Sequence, residues 1–429
     1  MKTAALSLEQ TPPLSVPLRY FVTAPLFVML AATLLLWFGP VALSSRWTPQ
    51  LLAATHLVTL GCLTMVMFGA TQQLLPILMA SPLPRPRLTS ALVHILLTGG
   101  TLLLAGGMLS GAPYLFQGAA GMLGAGILLF VGVTLDALRR SRSGHDTVWG
   151  IALALVALLV TAGAGLVLAG GYALGWYVVP RSLTNLHLVW GLLGWVGLLV
   201  VAVAYQVVPM FQLTPAYPPI LMRWLAAVLL LSLLSWSVGR LLPAARPLSL
   251  GAGTVVVAGY GLFAFTTFWL QHRRSRRVAD VNLDFWRVGL VSLLLALLLW
   301  SSAPLGHSSV GELLLGVLLI AGFAMSIING MLYKIVPFLI WLHLNNRMQA
   351  EGRWEKIPNM RELISPRQSR WQFRLHSVAL LLLLAAVVWP ASFTRPAALL
   401  LFCSQALLGW NFLGALRIYQ RGSAAAAPG

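Results

Sequence analysis

Apolar runs long enough to cross a bilayer alternate with short polar breaks along the whole chain. A spanning helix needs roughly 20 apolar residues. On that measure the pattern predicts twelve spans: about 20–40, 51–79, 89–110, 115–137, 148–170, 184–213, 222–243, 248–270, 286–303, 309–341, 371–390 and 395–417. Proline, glycine and charged residues punctuate the gaps. The longest gap, 342–370, predicts a polar loop with Trp354 and Trp371 near its ends.

A second pattern sits on top of the first. The stretches Gly61–Pro76, Gly194–Pro209 and Gly322–Pro337 share one register. In each, a glycine is followed two helical turns later by a small residue (Gly69, Ala202, Gly330). Then come Gln72–Gln73, Tyr205–Gln206 or Tyr333–Lys334, two aliphatics and a proline. The copies recur every ~130 residues, and a fixed period marks one unit used repeatedly. The patterned helices are spans 2, 6 and 10, so the chain divides into three four-helix repeats, about 20–137, 148–270 and 286–417. Small residues on a face let membrane helices pack closely, and they also leave room for a flat macrocycle. The repeat prolines predict kinks. The Gln and Tyr pairs beside them predict a polar ring closed by mutual hydrogen bonds.

Composition agrees with a single all-α transmembrane domain. Of 429 residues, 59% are hydrophobic and 9% charged. A net charge of +19 would suit nucleic acid, but its distribution excludes that partner. The basic residues crowd alternate loops: Arg85 and Arg87, then Arg139, Arg140 and Arg142, then Arg223, then Arg273, Arg274, Arg276 and Arg277, then 344–370, then Arg417 and Arg421. The positive-inside bias places those loops and both termini in the cytoplasm, as in a multi-pass protein of a bacterial inner membrane. Those clusters face the lipid bilayer's anionic headgroups. The start of the chain reads as no cleavable signal, with an interfacial segment around Pro17, Leu18 and Arg19, and residues 422–429 read as a disordered tail. Cys62 and Cys403, the only two cysteines, both fall in spans and read as packing residues.

Ionisable groups inside the membrane are the candidate chemistry. Of eight histidines, His56, His94, His187 and His376 lie in spans. His56 and His187 fall near the outer ends of spans 2 and 6, while His94 and His376 fall in the inner halves of spans 3 and 11. The result is an outer pair and an inner pair. Neutral imidazole is the commonest metal ligand and binds haem iron axially. His56 precedes its repeat glycine by five residues and His187 by seven, offsets that point to different helix faces. His307 could complete an outer site. His343 follows span 10, and Lys334 sits near enough to the cytoplasm to snorkel. Intramembrane carboxylates are nearly absent: Asp136 neighbours Arg139 and Arg140 at a helix end, and Glu312 opens span 10.

Twelve spans in three repeats with an outer histidine on span 2 resemble the catalytic subunit of the haem-copper oxidase superfamily, which includes cytochrome c oxidase subunit I and the nitric oxide reductases. The stretches 185–211 (NLHLVWGLLGWVGLLVVAVAYQVVPMF) and 333–344 (YKIVPFLIWLHL) are similar to parts of that group. The resemblance implies a pseudo-threefold bundle, with His56 in the place of a haem axial ligand and His187 near the place of a copper ligand. Other family positions differ. Gly191 stands where a tyrosine or glutamate would follow His187, span 7 has no histidine, and the membrane part of span 10 has none. The resemblance therefore implies a divergent member without terminal oxidase activity.

The expected function is haem b binding, with copper at His187 as a second expectation and a weaker metal expectation at His94 and His376. Such a protein would transfer electrons, or handle nitric oxide, metal or haem, with a redox partner or oxidase-type subunits. Membrane proteins of the NnrS type offer a precedent for twelve spans with haem and copper. Two other classes stay open: a small-solute permease and a cofactor-free accessory or assembly subunit. Common twelve-span transporters repeat as two six-helix halves, which counts against the permease.

Overall fold

The computed structural model describes residues 10–79, 82–140, 146–175, 180–276, 278, 280–302, 308–350, 352 and 358–424. Among the described residues, twelve helices are long and apolar enough to cross a membrane, and this is a polytopic helical membrane protein. They are α1 (Ser15–Leu43), α2 (Pro49–Met79), α3 (Pro86–Ser110), α4 (Pro113–Arg140), α5 (Asp146–Leu174), α6 (Arg181–Gln212), α7 (Pro219–Leu241), α8 (Pro243–His272), α9 (Val281–Ser302), α10 (Ser309–Ala350), α11 (Pro366–Val388) and α12 (Pro390–Arg421). The described residues contain no strand.

Several helices run past their apolar cores. The Pro17–Arg19 segment belongs to α1 rather than to a separate interfacial piece. The 342–370 loop is shorter than expected, because α10 continues to Ala350 and α11 begins at Pro366. Apolar length marks only the buried part of a helix, and polar turns such as 343–350 add to it outside. The short helix Met360–Leu363 between them opens on a capping box, Asn359 with Glu362. The final helix extends to Ala424, into the predicted tail, and 425–429 lie outside the described residues.

The bundle has three central helices and nine around them. Buried positions make up 67, 78 and 72% of the apolar windows of α2, α6 and α10, against at most 50% in any other helix. The outer helices touch in chain order: α1, α3, α4, α5, α7, α8, α9, α11 and α12, which closes back on α1. These neighbour relations recur every four helices.

The repeated pattern explains the centre. A Cβ on Gly61 would strike Phe27 of α1, one on Gly194 would stand 3.1 Å from Ala157 of α5, and one on Gly322 would stand 2.6 Å from Cβ of Ser292 on α9. Each repeat glycine thus admits the helix immediately before its own. The same three sites lie in π-helical segments, Thr59–Thr64, Trp190–Gly197 and Leu318–Met325. Such segments widen the helix and re-aim the side chains that follow. The segments of α2 and α6 both touch that of α10. Across α2 and α6, the Trp195 indole donates to Thr64 Oγ1 at 3.2 Å. The repeat prolines Pro76, Pro209 and Pro337 sit inside the continuing helices.

Candidate functional site: a histidine pair between α2 and α6

His56 lies two turns into α2 and His187 in the second turn of α6. Their ring centroids are 6.1 Å apart and their planes 20° from parallel. The different offsets from the repeat glycines do not keep them apart. Two helices packed around one centre meet through different faces, so the same face on both would not bring the rings together.

Both rings are anchored the same way. His56 Nδ1 lies 2.8 Å from the Leu52 carbonyl of its own helix. His187 Nδ1 lies 3.0 Å from the Thr161 carbonyl of α5. A carbonyl only accepts, so each Nδ1 carries the proton and donates. Each Nε2 then keeps a lone pair, and among the described residues neither has a hydrogen-bond partner. A metal-binding imidazole is held in this way, with its far nitrogen fixed by a backbone oxygen. Gly165 leaves space for the His187 ring, since a Cβ there would stand 3.0 Å from Cε1.

A charged cluster stands at the same end of the bundle. Glu312, in the first turn of α10, is buried. Its two oxygens meet Arg46 Nε at 2.9 Å and Arg181 Nη2 at 3.0 Å. Arg46 Nη2 also donates to Asn185 Oδ1 at 2.8 Å, and its guanidinium lies over the Trp47 ring at 4.4 Å. Burial lowers the Arg46 pKa from its ordinary value, and the Glu312 carboxylate opposes that shift. The cluster ties the turn before α2 to the starts of α6 and α10. A crevice of about 30 Å³ runs beside it, lined by Leu188, Val189, Trp300, Leu315 and Glu312 among others.

The expected inner pair does not form. His94 Nε2 lies 3.0 Å from Thr23 Oγ1 on α1, and its ring meets Tyr20 edge-on. His376 Nε2 lies 2.8 Å from Ser326 Oγ on α10, and its ring neighbours Phe285 of α9. The two rings therefore sit in separate parts of the bundle. The predicted polar ring does not close either. Gln72 donates to the Tyr20 hydroxyl and Tyr205 to the Leu221 carbonyl, so each bonds within its own four helices. Lys334 is paired with Asp280 at 2.6 Å. Cys62 and Cys403 are free thiols. His307 lies outside the described residues. Among the described residues, no three His, Cys, Asp or Glu side chains converge as a metal-ion group.

Sequence reasoning did not single out Arg46 and Arg181, the partners of Glu312. The available signal was Glu312, a carboxylate at the mouth of an apolar span that needs a cation. No family model matches the chain, and no curated protein matches it.

Proposed function

We propose that this membrane protein holds one metal centre between His56 and His187, either haem b or a copper ion, and has no terminal oxidase chemistry. The observation that carries the reading is the shared anchoring: two imidazoles, each fixed through Nδ1, 6.1 Å apart and nearly parallel. Neutral imidazole suits both iron and copper.

The two loads make different demands. A copper ion needs only the pair. A macrocycle needs a site of roughly 300 Å³ or more between the two rings. Haem b, which the oxidase resemblance favours, would therefore require such a space between α2 and α6. The sequence departures argue against oxygen reduction, because span 7 and the membrane part of span 10 carry no histidine where the oxidase resemblance would require them. The neighbour pattern that repeats every four helices supports a pseudo-threefold, oxidase-like bundle. Electron transfer, or handling of nitric oxide, metal or haem, fits a half-buried centre near one membrane face. We place that face outward and the termini in the cytoplasm of a bacterial inner membrane, following the charge bias.

The deciding experiment is an oxidised and reduced absorption spectrum of the purified protein, with metal analysis on the same sample. Sharp reduced bands of a six-coordinate haem, or stoichiometric copper, lost in both His56→Ala and His187→Ala, would support the reading. A colourless, metal-free protein from cells supplied with iron, haem and copper would sink it and leave a permease or an accessory subunit.

A further inference from the structure

The interior between α10, α11 and α12 differs from the rest of the bundle. The copies of the repeat make this visible. Four and seven residues after the repeat glycine, α2 places Met65 and Phe68, and α6 places Leu198 and Val201. At the same positions α10 places Ser326 and Asn329, both fully buried. Phe68 stacks on Phe130 at 3.6 Å in a dry aromatic contact. Asn329 has no partner for either its amide nitrogen or its oxygen.

The facing helices are polar too. Gln372 and His376 lie one turn apart on α11, and Ser404, Gln405 and Asn411 lie on α12, all buried. Some of their needs are met. Gln372 donates to Ser404 Oγ at 2.9 Å, Asn411 donates to the Tyr333 hydroxyl at 3.0 Å, and His376 Nε2 meets Ser326 Oγ. Many are not. The side-chain oxygens of Gln372, Gln405 and Asn411, and His376 Nδ1, have no partner. If Ser326 donates to Nε2, Nδ1 carries a proton that needs an acceptor. If Nε2 donates to Ser326, Nδ1 is a bare acceptor. In either tautomer one ring nitrogen is unsatisfied.

Each such group costs about 1–3 kcal/mol in a dry interior. Buried water, which makes two to four hydrogen bonds, is the usual partner of such groups. The unmet groups succeed one another along the bundle. Asn411 and Tyr333 lie toward the end that carries the chain termini, and His376 lies ~15 Å from the start of α11.

We propose that this interior is a hydrated lane, in which bound waters link Tyr333 and Asn411 to His376 and let its imidazole exchange protons with the face that carries the termini. A proton passes along the waters and is taken up at the free ring nitrogen, leaving water behind. The lane is separate from the His56–His187 pair and does not depend on a metal there.

X-ray hydroxyl-radical labelling tests the lane, because the radicals form from water wherever water sits. Met325 and Met65 form a matched pair: both are buried, at 1% and 0% exposure. Met325 lies beside Gln405 in the proposed lane, with Gln405 Nε2 3.8 Å from its sulfur. In the intact purified protein, Met325 should oxidise at least about fivefold faster than Met65 if water occupies the lane. Equal rates would overturn the proposal. Asn329→Val, which installs the residue type found in α6, should bring Met325 toward the Met65 rate while the protein stays folded. If the variant is instead more heat-stable and Met325 labelling is unchanged, the interior is dry and the proposal fails. His56→Ala should leave the Met325:Met65 ratio as it is, which separates this result from the metal reading.

Discussion

α2 and α6 on one hand and α10 on the other are built on one plan and filled differently. All three have a glycine against the preceding helix, a π-helical segment at that glycine and a late proline. Within their first two turns or so α2 and α6 carry His56 and His187, whereas α10 carries Glu312 in its first turn. In mid-helix the first two are apolar, whereas α10 is polar at Ser326 and Asn329. The shared residues are those that let helices pack. The residues that differ are those with chemistry to offer. A repeated unit thus fixes the frame, and each copy is free to specialise inside it.

The largest expected effect divides the two regions outright. His56→Ala and His187→Ala should each lower bound metal about tenfold or more, since each removes half of a two-ligand set. His376→Ala should leave metal content unchanged, because its ring sits in the α10–α11 interior against Ser326. Metal analysis of the three variants is the check, and an equal loss in all three would erase the distinction between the regions.

Next in size is the charged cluster where the three central helices meet. Glu312→Gln leaves Arg46 buried without its counter-charge. Breaking a buried pair from one side typically costs about 3–5 kcal/mol. Arg181→Gln removes the other partner, whose side chain is 55% exposed, so the loss should stay within about 1 kcal/mol. Thermal unfolding in detergent distinguishes them, and similar losses for the two variants would mean that Arg46 is not the main partner of Glu312.

These contrasts also show what the sequence made legible. The twelve spans could be read because length and apolarity are physical requirements of a bilayer. The repeated small-residue pattern of α2, α6 and α10 could be read because close packing demands small residues at fixed spacing, but their central position could not. Contacts between distant segments could not. Nothing in the numbers 46, 181 and 312 says that these side chains meet, since loop charges are common and their partners are set by the whole bundle. The meeting of His56 with His187 was hidden for a related reason. Periodicity gives a residue's face on its own helix, but not which neighbour that face meets. The π-helical segments were equally hidden, because no residue type demands them and they change the count along the helix.

Packing at the shared glycines should be felt less than the loss of the Arg46 counter-charge. Gly61→Val drives a branched side chain into Phe27, and Gly322→Val drives one into Ser292. Overpacking of this kind costs about 1–3 kcal/mol. Gly121→Ala on α4 meets nothing within 4 Å and should shift stability by less than about 1 kcal/mol, toward greater stability, because alanine is the better helix former. A neutral Gly61→Val would show that α1 and α2 can part freely, and would remove the packing account of the repeat.

The smallest effect concerns Lys334, where α10 again departs from its sister helices, which have Gln73 and Gln206. Lys334 pairs with Asp280 at 2.6 Å, and the two side chains are 27% and 28% exposed. A partly hydrated pair gains little, because water screens the attraction and holding the long side chain costs entropy. Lys334→Met should therefore cost less than about 1 kcal/mol, and a double-mutant cycle with Asp280→Asn should give a coupling of the same size that shrinks in high salt. A coupling well above that, unchanged by salt, would place the pair out of reach of water. The polar character of α10 would then extend, shielded, as far as Lys334.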